Sequence, residues 1–459
     1  MEIAVASTTR AWFGPMYDTA VRTLDRNTVH DERGAYIRAG DGYTDPWTRD
    51  AALNTWGAAA LLRPDVARST LLRVCDQLAD GRRVIAQDDQ WWDQIVWVIA
   101  ARDLALSTGD RELLRTVLEV GRASLEILHR DRFRPRWGLY AGPALMQDGI
   151  SGLPTPPATA EEPSSFVLDN PDAHEVMTLS TNVLYVAAYR ALDATARDLG
   201  EDPGDFASAA DRLTSAIREH LGDGTSFGYF RHGVGPLAGT LDEHREAAGL
   251  ALAVLFDVAS EGTGAATLES VGRGPAGAVN VAPHFDDRYS DDHPGRHNAI
   301  CWPMVMGLVG FASASIRDVA GVDRTLEDLR ALVEASDGRF DEVYDAVTGA
   351  PSGGWQCGFL WDSEPNQTWS ATSFLRLVHL GVLGLRAGFD GVRLEPLRPA
   401  DGEVVTARGI TVGTAVLDVT VRAGEESSVE VDGVDVTHAA THVPRDAVGH
   451  RRVRVVVGP

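Results

Sequence analysis

The sequence predicts a mainly α protein, a ring of six antiparallel helical hairpins followed by a small C-terminal β domain. Three observations predict it. From about residue 14 to 386, apolar residues recur at three- and four-residue spacing. Helix-start signals in that stretch number twelve, as six hairpins require. Beyond Leu385 the pattern changes to short alternating runs, such as Val404-Val405-Thr406-Ala407 and Arg452-Val453-Arg454-Val455-Val456-Val457, set between Gly and Asp turns.

The helices are expected to start near Gly14, Thr48, Pro64, Trp91, Asp110, Glu175, Asp205, Asp242, Thr267, His297, Thr325 and Gln367. Arg63-Pro64-Asp65 sets a proline in a first turn, while Thr108-Gly109-Asp110 ends one helix and caps the next. Two long connections, Arg132 to His174 and Gly272 to Arg296, are rich in Gly, Pro and Asp. Loops of that length inside a compact domain are usually functional or disordered. The expected division is a helical domain over 1–386 and a small β domain over 387–459.

At 459 residues and 44% hydrophobic, the chain is long and apolar enough to bury a large core. Its 42 Lys+Arg against 66 Asp+Glu give a formal net charge of -24, which repels a phosphate backbone or an anionic bilayer. Nucleic acid and membrane are therefore not expected as partners. Cys75, Cys301 and Cys357 form no CxxC pair, so a reducing compartment fits. The first thirty residues lack a basic stretch followed by an apolar one, and no apolar run approaches about 18 residues, so the expected location is cytoplasmic.

Five segments combine flat aromatic surfaces with fixed polar groups, the pairing that sugars demand because each buried hydroxyl needs a partner. The first, Tyr43-Thr44-Asp45-Pro46-Trp47-Thr48-Arg49-Asp50, stands at the mouth of a helix, where a helix start with a surface ion pair explains the same letters. The second, Gln90 to Trp97, offers Trp92 and Asp93 as contacts, while its Trp97 suits a core position as well as a platform. In the third, Asp148 lies between Met146 and Ile150 and precedes Gly149, a setting that desolvates a carboxyl and favours its protonated form. A plain Asp-Gly turn accounts equally for it. The fourth opens a helix with His297, Asn298 and Trp302, or is simply a capped core helix. In the fifth, Glu342 precedes a Gly-containing turn, with Gln367 and Trp369 entering the next helix; the alternative is a solvated glutamate.

In their order, WTRD, WWDQ with a following STGD, QDG, HNxxxWP and DEVYD…TG…QTWSA, these segments resemble the six-hairpin (α/α)6-barrel glycosidases. The nearest resemblance is to glycoside hydrolase family 63 and the amylo-1,6-glucosidase part of glycogen debranching enzymes, with family 37 trehalases further away. It covers roughly Tyr43 to Leu385. It implies an inverting glycoside hydrolase acting on an α-linked, glucose-like or mannose-like unit of a small saccharide, with Asp148 as general acid and Glu342 as general base. It also implies that Trp47, Arg49 and Asp50 hold the reacting sugar, and that Asp93, His297, Trp302, Gln367 and Trp369 complete the wall. Neither a cofactor nor a catalytic metal is called for. No large N-terminal β domain of the kind many relatives carry is expected from this sequence, and its Pro154 to Asn170 stretch matches nothing in the family pattern.

Rival readings remain at this point. Glu364, in Trp361-Asp362-Ser363-Glu364, is a second source for the base. A disaccharide phosphorylase on the same fold would replace the base by a phosphate cradle, for which Ser352-Gly353-Gly354 is the candidate. A non-catalytic carbohydrate-binding protein is the third. The acidic stretch Asp286 to Asp292 suits a Ca²⁺ loop or, more plainly, solvated charge.

Overall fold

The computed structural model describes residues 5–8, 10–149, 167, 171–260, 262–285, 295–356 and 359–459. Each of the twelve expected helices has a counterpart there. They are α1 Phe13–Arg26, α2 Thr48–Asn54, α3 Pro64–Arg73, α4 Val96–Thr108, α5 Arg111–Arg132 and α6 Leu179–Leu199. The second half supplies α7 Phe206–His220, α8 Ala247–Leu255, α9 Gly264–Glu269, α10 Pro303–Ser315, α11 Val319–Ala335 and α12 Thr368–Arg376.

The sequence sorts these helices into two layers. In α8 every residue from Ala247 to Val254 is buried, and in α10 every residue from Pro303 to Ala314. Helices apolar all round belong inside. By contrast α5, α7 and α11 bury one stripe each, for example Leu113, Val117, Val120 and Leu128 of α5. Packing follows the sorting: α2 touches α4, α4 touches α6, and so on through α8, α10 and α12, which returns to α2. The odd-numbered helices lie against this inner set, α1 on α12, α3 on α4, α5 on α4 and α6, α7 on α6, α9 on α8 and α10, and α11 on α10.

Local signals fix several boundaries. Gly109 closes α4 in the left-handed conformation (φ 74°), and Asp110 accepts from the Leu113 amide at 2.9 Å to cap α5. The two long connections fall as expected, between α5 and α6 and between α9 and α10. The acidic 286–292 stretch lies outside the described residues, as does most of 154–170. No helix among the described residues is long and apolar enough to cross a membrane.

Helix α2 breaks at Trp56 and Gly57 (φ 63°) before resuming at Ala60–Leu62. A side chain at 57 would meet Leu380 Cδ1 at 2.5 Å, so only glycine fits. Buried side chains serve the freed backbone groups. Asp103 accepts from the Gly57 amide at 2.9 Å, His379 Nδ1 lies 2.8 Å from the Gly57 carbonyl, and Arg376 donates to the carbonyls of Trp56 and Leu53. Arg376→Met should strip both carbonyls of their donor and remove one of the cations, beside Arg102 and Arg386, that act on buried Asp103. The expected loss is about 3 kcal/mol of stability, read by urea denaturation.

The C-terminal region is a sheet region, and its principal sheet has six strands in the order Val5–Ser7, Val404–Val412, Thr414–Ala423, Val448–Val457, Ser428–Val431, Val434–Asp435. Thr414–Ala423 and Val448–Val457 run parallel; the other neighbours are antiparallel. Val405, Ala407, Ile410 and Val412 point inward, the alternation shifting at a bulge between Ala407 and Ile410. The first strand comes from the start of the chain, Ala6 pairing with Ala407. Stretches of the two expected domains thus share one sheet.

Candidate active site

Segments far apart in the helical region, from residues 39–50, 88–94, 146–148, 296–302 and 342–369, meet at one cavity of about 630 Å³. The turn before α2, the turn after Gln87, the Asp148 loop, the segment before α10, the Glu342 loop and the start of α12 all reach it. Two glycines permit close approaches among these segments. A Cβ at Gly40 would stand 2.6 Å from Gln367 Oε1, and one at Gly42 would stand 2.6 Å from Glu364 Oε2. The chain beside them is tied to α12, since Thr368 donates its amide to the Ala39 carbonyl at 2.9 Å and its hydroxyl to Arg38 O at 2.9 Å.

Glu342 is buried on the cavity wall, which a solvated glutamate is not. Its Oε2 accepts from Arg296 Nη2 at 2.5 Å, its Oε1 from Gln367 Nε2 at 3.1 Å, and its amide donates to the Glu364 carbonyl at 2.9 Å. The nearby charge of Glu342, with burial second, pushes the Tyr43 hydroxyl well above its ordinary pKa. Arg296 is itself held by Gly353 O at 2.8 Å and lies over the Trp302 ring at 5.1 Å.

Asp148 lines the same cavity on a loop fixed from behind. Asp93 Oδ2 accepts the Met146 amide at 2.8 Å, Ser180 Oγ accepts the Leu145 amide at 2.8 Å, and the Tyr229 hydroxyl donates to Gln147 Oε1. Met146 takes a left-handed conformation (φ 60°), strain that such anchoring sustains. His297 Nε2 stands 3.0 Å from Asp148 Oδ1, close but poorly aligned for a hydrogen bond. A Cβ at Gly149 would collide with the His297 ring, so glycine is required for that approach. Gly149→Ala should therefore displace His297 or Asp148 and lower kcat/KM by roughly 10- to 100-fold with a small change in melting temperature. Steady-state kinetics beside a thermal melt check it.

The remaining wall is mixed. Arg49 Nη1 donates to Gln90 Oε1 at 2.8 Å and to Asp93 Oδ2 at 2.9 Å, and its guanidinium lies 5.5 Å from the Trp369 ring centre. Trp302 stacks on His297 at 5.4 Å and meets Trp369 edge-on at 5.9 Å. Arg49 Nε, Gln94 Oε1, Gln356 Nε2 and Trp369 Nε1 are buried with no hydrogen-bond partner among the described residues, and all belong to residues of this wall. Polar atoms so placed suit a ligand rich in hydroxyls.

Of the expected site residues, Tyr43, Trp47, Arg49, Asp50, Asp148, His297, Trp302, Glu342, Gln367 and Trp369 line the cavity, and so does Glu364. Trp92, Asp93 and Asn298 do not. Trp92 is fully buried, packed edge-on against Trp91 at 5.1 Å. Asp93 stands behind the wall as the partner of Arg49 and Met146, and Asn298 is spent on the Phe285 backbone. All three correct expectations of direct sugar contact, because helical spacing does not tell a cavity-facing side chain from its neighbour behind. Residues missed from sequence are Arg296, one position before the His297 motif, and Gln94, Gln356, Asp88 and Trp361. Trp361 was visible only as the neighbour of a rival acid.

The carboxyls differ in their ionisation. Burial raises Asp50 to about 7 against the pull of Arg49, with the charge of Glu342 adding to the rise. Burial also acts upward on Asp148, but contact with His297 and the charges of Arg49 and Arg296 outweigh it and bring the group down to about 2. Glu364 is raised by burial and by the charge of Glu342. No three His, Cys, Asp or Glu among the described residues are grouped to hold a metal ion.

Residues 43–370 match the model of the mannosylglycerate hydrolase MGH1-like glycoside hydrolase domain. No curated protein sequence matches the chain. Among solved structures, a GH63 mannosylglycerate hydrolase from Thermus thermophilus in complex with glucose is similar with a TM-score of 0.58 and 19% identity, covering 79% of this chain and 100% of that one. A chain described as a sialidase gives 0.69 at 17% identity over 99% of this chain, which spans 40% of that one's length. A GH78 rhamnosidase of Bacillus sp. GL1 gives 0.55 at 15% identity over 100% of this chain and 44% of that one. At these identities the structural likeness speaks for the fold alone.

Proposed function

Because the chain belongs to the mannosylglycerate hydrolase MGH1-like glycoside hydrolase family, and is therefore a glycosidase, we propose that it hydrolyses an α-linked, mannose-like or glucose-like glycosidic bond in a small saccharide with inversion. Asp148 acts as general acid and Glu342 as general base. One observation supports this above the others: both carboxylates line a single cavity whose wall also carries Trp302 and Trp369. The inner helices α2, α4, α6, α8, α10 and α12, each touching the next and the last touching the first, support an (α/α)6 barrel with the cavity at one mouth.

Glu342 is held for its role by Arg296 and Gln367, whose hydrogen bonds to Oε2 and Oε1 fix the orientation of the carboxylate. Water activated by it attacks the anomeric carbon from the face opposite the leaving group. Inverting enzymes need about 6.5–9.5 Å between the carboxyls to admit that water. Asp148 protonates the departing oxygen. In the free protein its contacts keep it ionised, so it must gain a proton as the sugar seats. Expulsion of water and loosening of the His297 contact both act in that direction. Arg49 and Asp50 face the same space and supply a donor and a partly protonated carboxyl for sugar hydroxyls.

A phosphorylase is disfavoured by one particular. The amides of Ser352 and Gly353, needed for a phosphate cradle, are bonded to Val343 O and Trp361 O at 3.1 and 2.9 Å. Gly354 (φ 70°) lets the backbone press on Arg296, where a Cβ would stand 2.7 Å from its Cα. The test is to screen the purified protein against α-mannosides and α-glucosides, reading the first-formed anomer by NMR. Net retention, or turnover only with added phosphate, would overturn the mechanism.

A further inference from the structure

The cavity has two kinds of aromatic wall. Trp302 and Trp369 are buried at 2% and 3% exposure, whereas Trp47 and Trp361 stand half exposed at 46% and 43%. Half-exposed indoles are costly to leave in water, yet Trp361 is firmly fixed. Its Nε1 donates to Gln356 O at 3.0 Å, its amide to Gly354 O at 2.9 Å, and its carbonyl accepts from Gly353. Trp47 sits at the first turn of α2, two residues before Arg49, and its carbonyl accepts the Ala51 amide at 2.7 Å.

Charge narrows what these rings receive. Six carboxylates line the cavity, and the two arginines on its wall already face acids, Arg49 with Asp93 and Arg296 with Glu342. Asp362 and Glu364 stand on the same strip as Trp361. An anionic leaving group entering here meets like charge, and both arginines of the described wall, Arg49 and Arg296, already have their charge matched by a carboxylate. An uncharged ring with an apolar face meets an indole, with carboxylates to accept its hydroxyl protons.

From the hydrolase reading above, we infer that Trp47 and Trp361 form the leaving-group subsite and that it takes a neutral sugar ring, so the substrate is a disaccharide or the end of a short oligosaccharide. The glyceric-acid type of leaving group that the matched family's description names is disfavoured.

The experiment compares wild type, Trp361→Ala and Trp47→Ala on three probes that share one donor sugar, run with mannose and with glucose. The probes are the α-glycosyl fluoride, whose leaving group is too small to use the subsite, an α-linked disaccharide, and the glycosyl glycerate. Wild type is expected to favour the disaccharide over the glycerate by at least ~10-fold in kcat/KM. Each substitution should cut the disaccharide value at least ~10-fold more than the fluoride value, chiefly through KM. Preference for the glycerate, or equal losses on fluoride and disaccharide, would overturn the inference while leaving the hydrolase reading intact. No turnover of either fluoride would sink the hydrolase reading and this inference with it.

Discussion

Glu342→Gln lowers kcat by roughly two to four orders of magnitude on every glycoside the protein accepts, including a glycosyl fluoride. The reason is that the attacking water needs a base whatever the leaving group. Glutamine preserves the volume of the buried side chain and can still face Gln367, but it removes the charge opposite Arg296. A guanidinium left without its acid costs stability, so the variant should also melt earlier, and kinetics are to be read at a temperature where it remains folded. Glu364→Gln is the control. Glu364 accepts the Gly42 amide and lines the same cavity, but a Gln there should cost less than about tenfold. If the two losses are reversed, Glu364 is the base.

Asp148→Asn separates acid from binding. Turnover of a disaccharide should fall by roughly two to four orders of magnitude, whereas fluoride, which departs without a proton, should lose about tenfold or less. Asp50→Asn is the necessary comparison, because Asp50 is the cavity carboxyl brought up to about 7 while Asp148 is brought down to about 2. Were Asp50 the acid, its variant would spare fluoride and the Asp148 variant would not. The expected result is the opposite: Asp50→Asn impairs both substrates alike, as loss of a sugar contact does.

Much of this architecture is legible in the sequence, for physical reasons that differ from element to element. Helices with strong entry chemistry are placed closely, Pro64 opening α3 and Asp110 capping α5 as read. Those that emerge from long connections start later than expected, α10 at Pro303 rather than near His297, because the segment before it is committed to the cavity and to an isolated bridge between Cys301 and Tyr344. The strand Val5–Ser7 was not anticipated, since three residues carry no period and its partner lies some four hundred positions on. Motif order brought Asp148 and Glu342 forward, yet it could not tell Asp93, facing inward behind the wall, from Arg49 facing the cavity. Arg296 stands in an irregular segment and Gln356 in a two-residue strand, both too short of pattern for periodicity to mark them. Only closure of the fold reveals what they touch.

The contact between α12 and α2 bears on how such a molecule is made. Emerging from a ribosome, the chain presents α8 and α10, greasy on every side, long before the helix that completes their enclosure has been synthesised. Tyr43 to Asp50 wait in an unfinished half-site until Gln367 and Trp369 arrive. Competence for chemistry is thus acquired late and all at once, and nascent intermediates stopped short of residue 376 expose sticky surface that invites chaperones or aggregation.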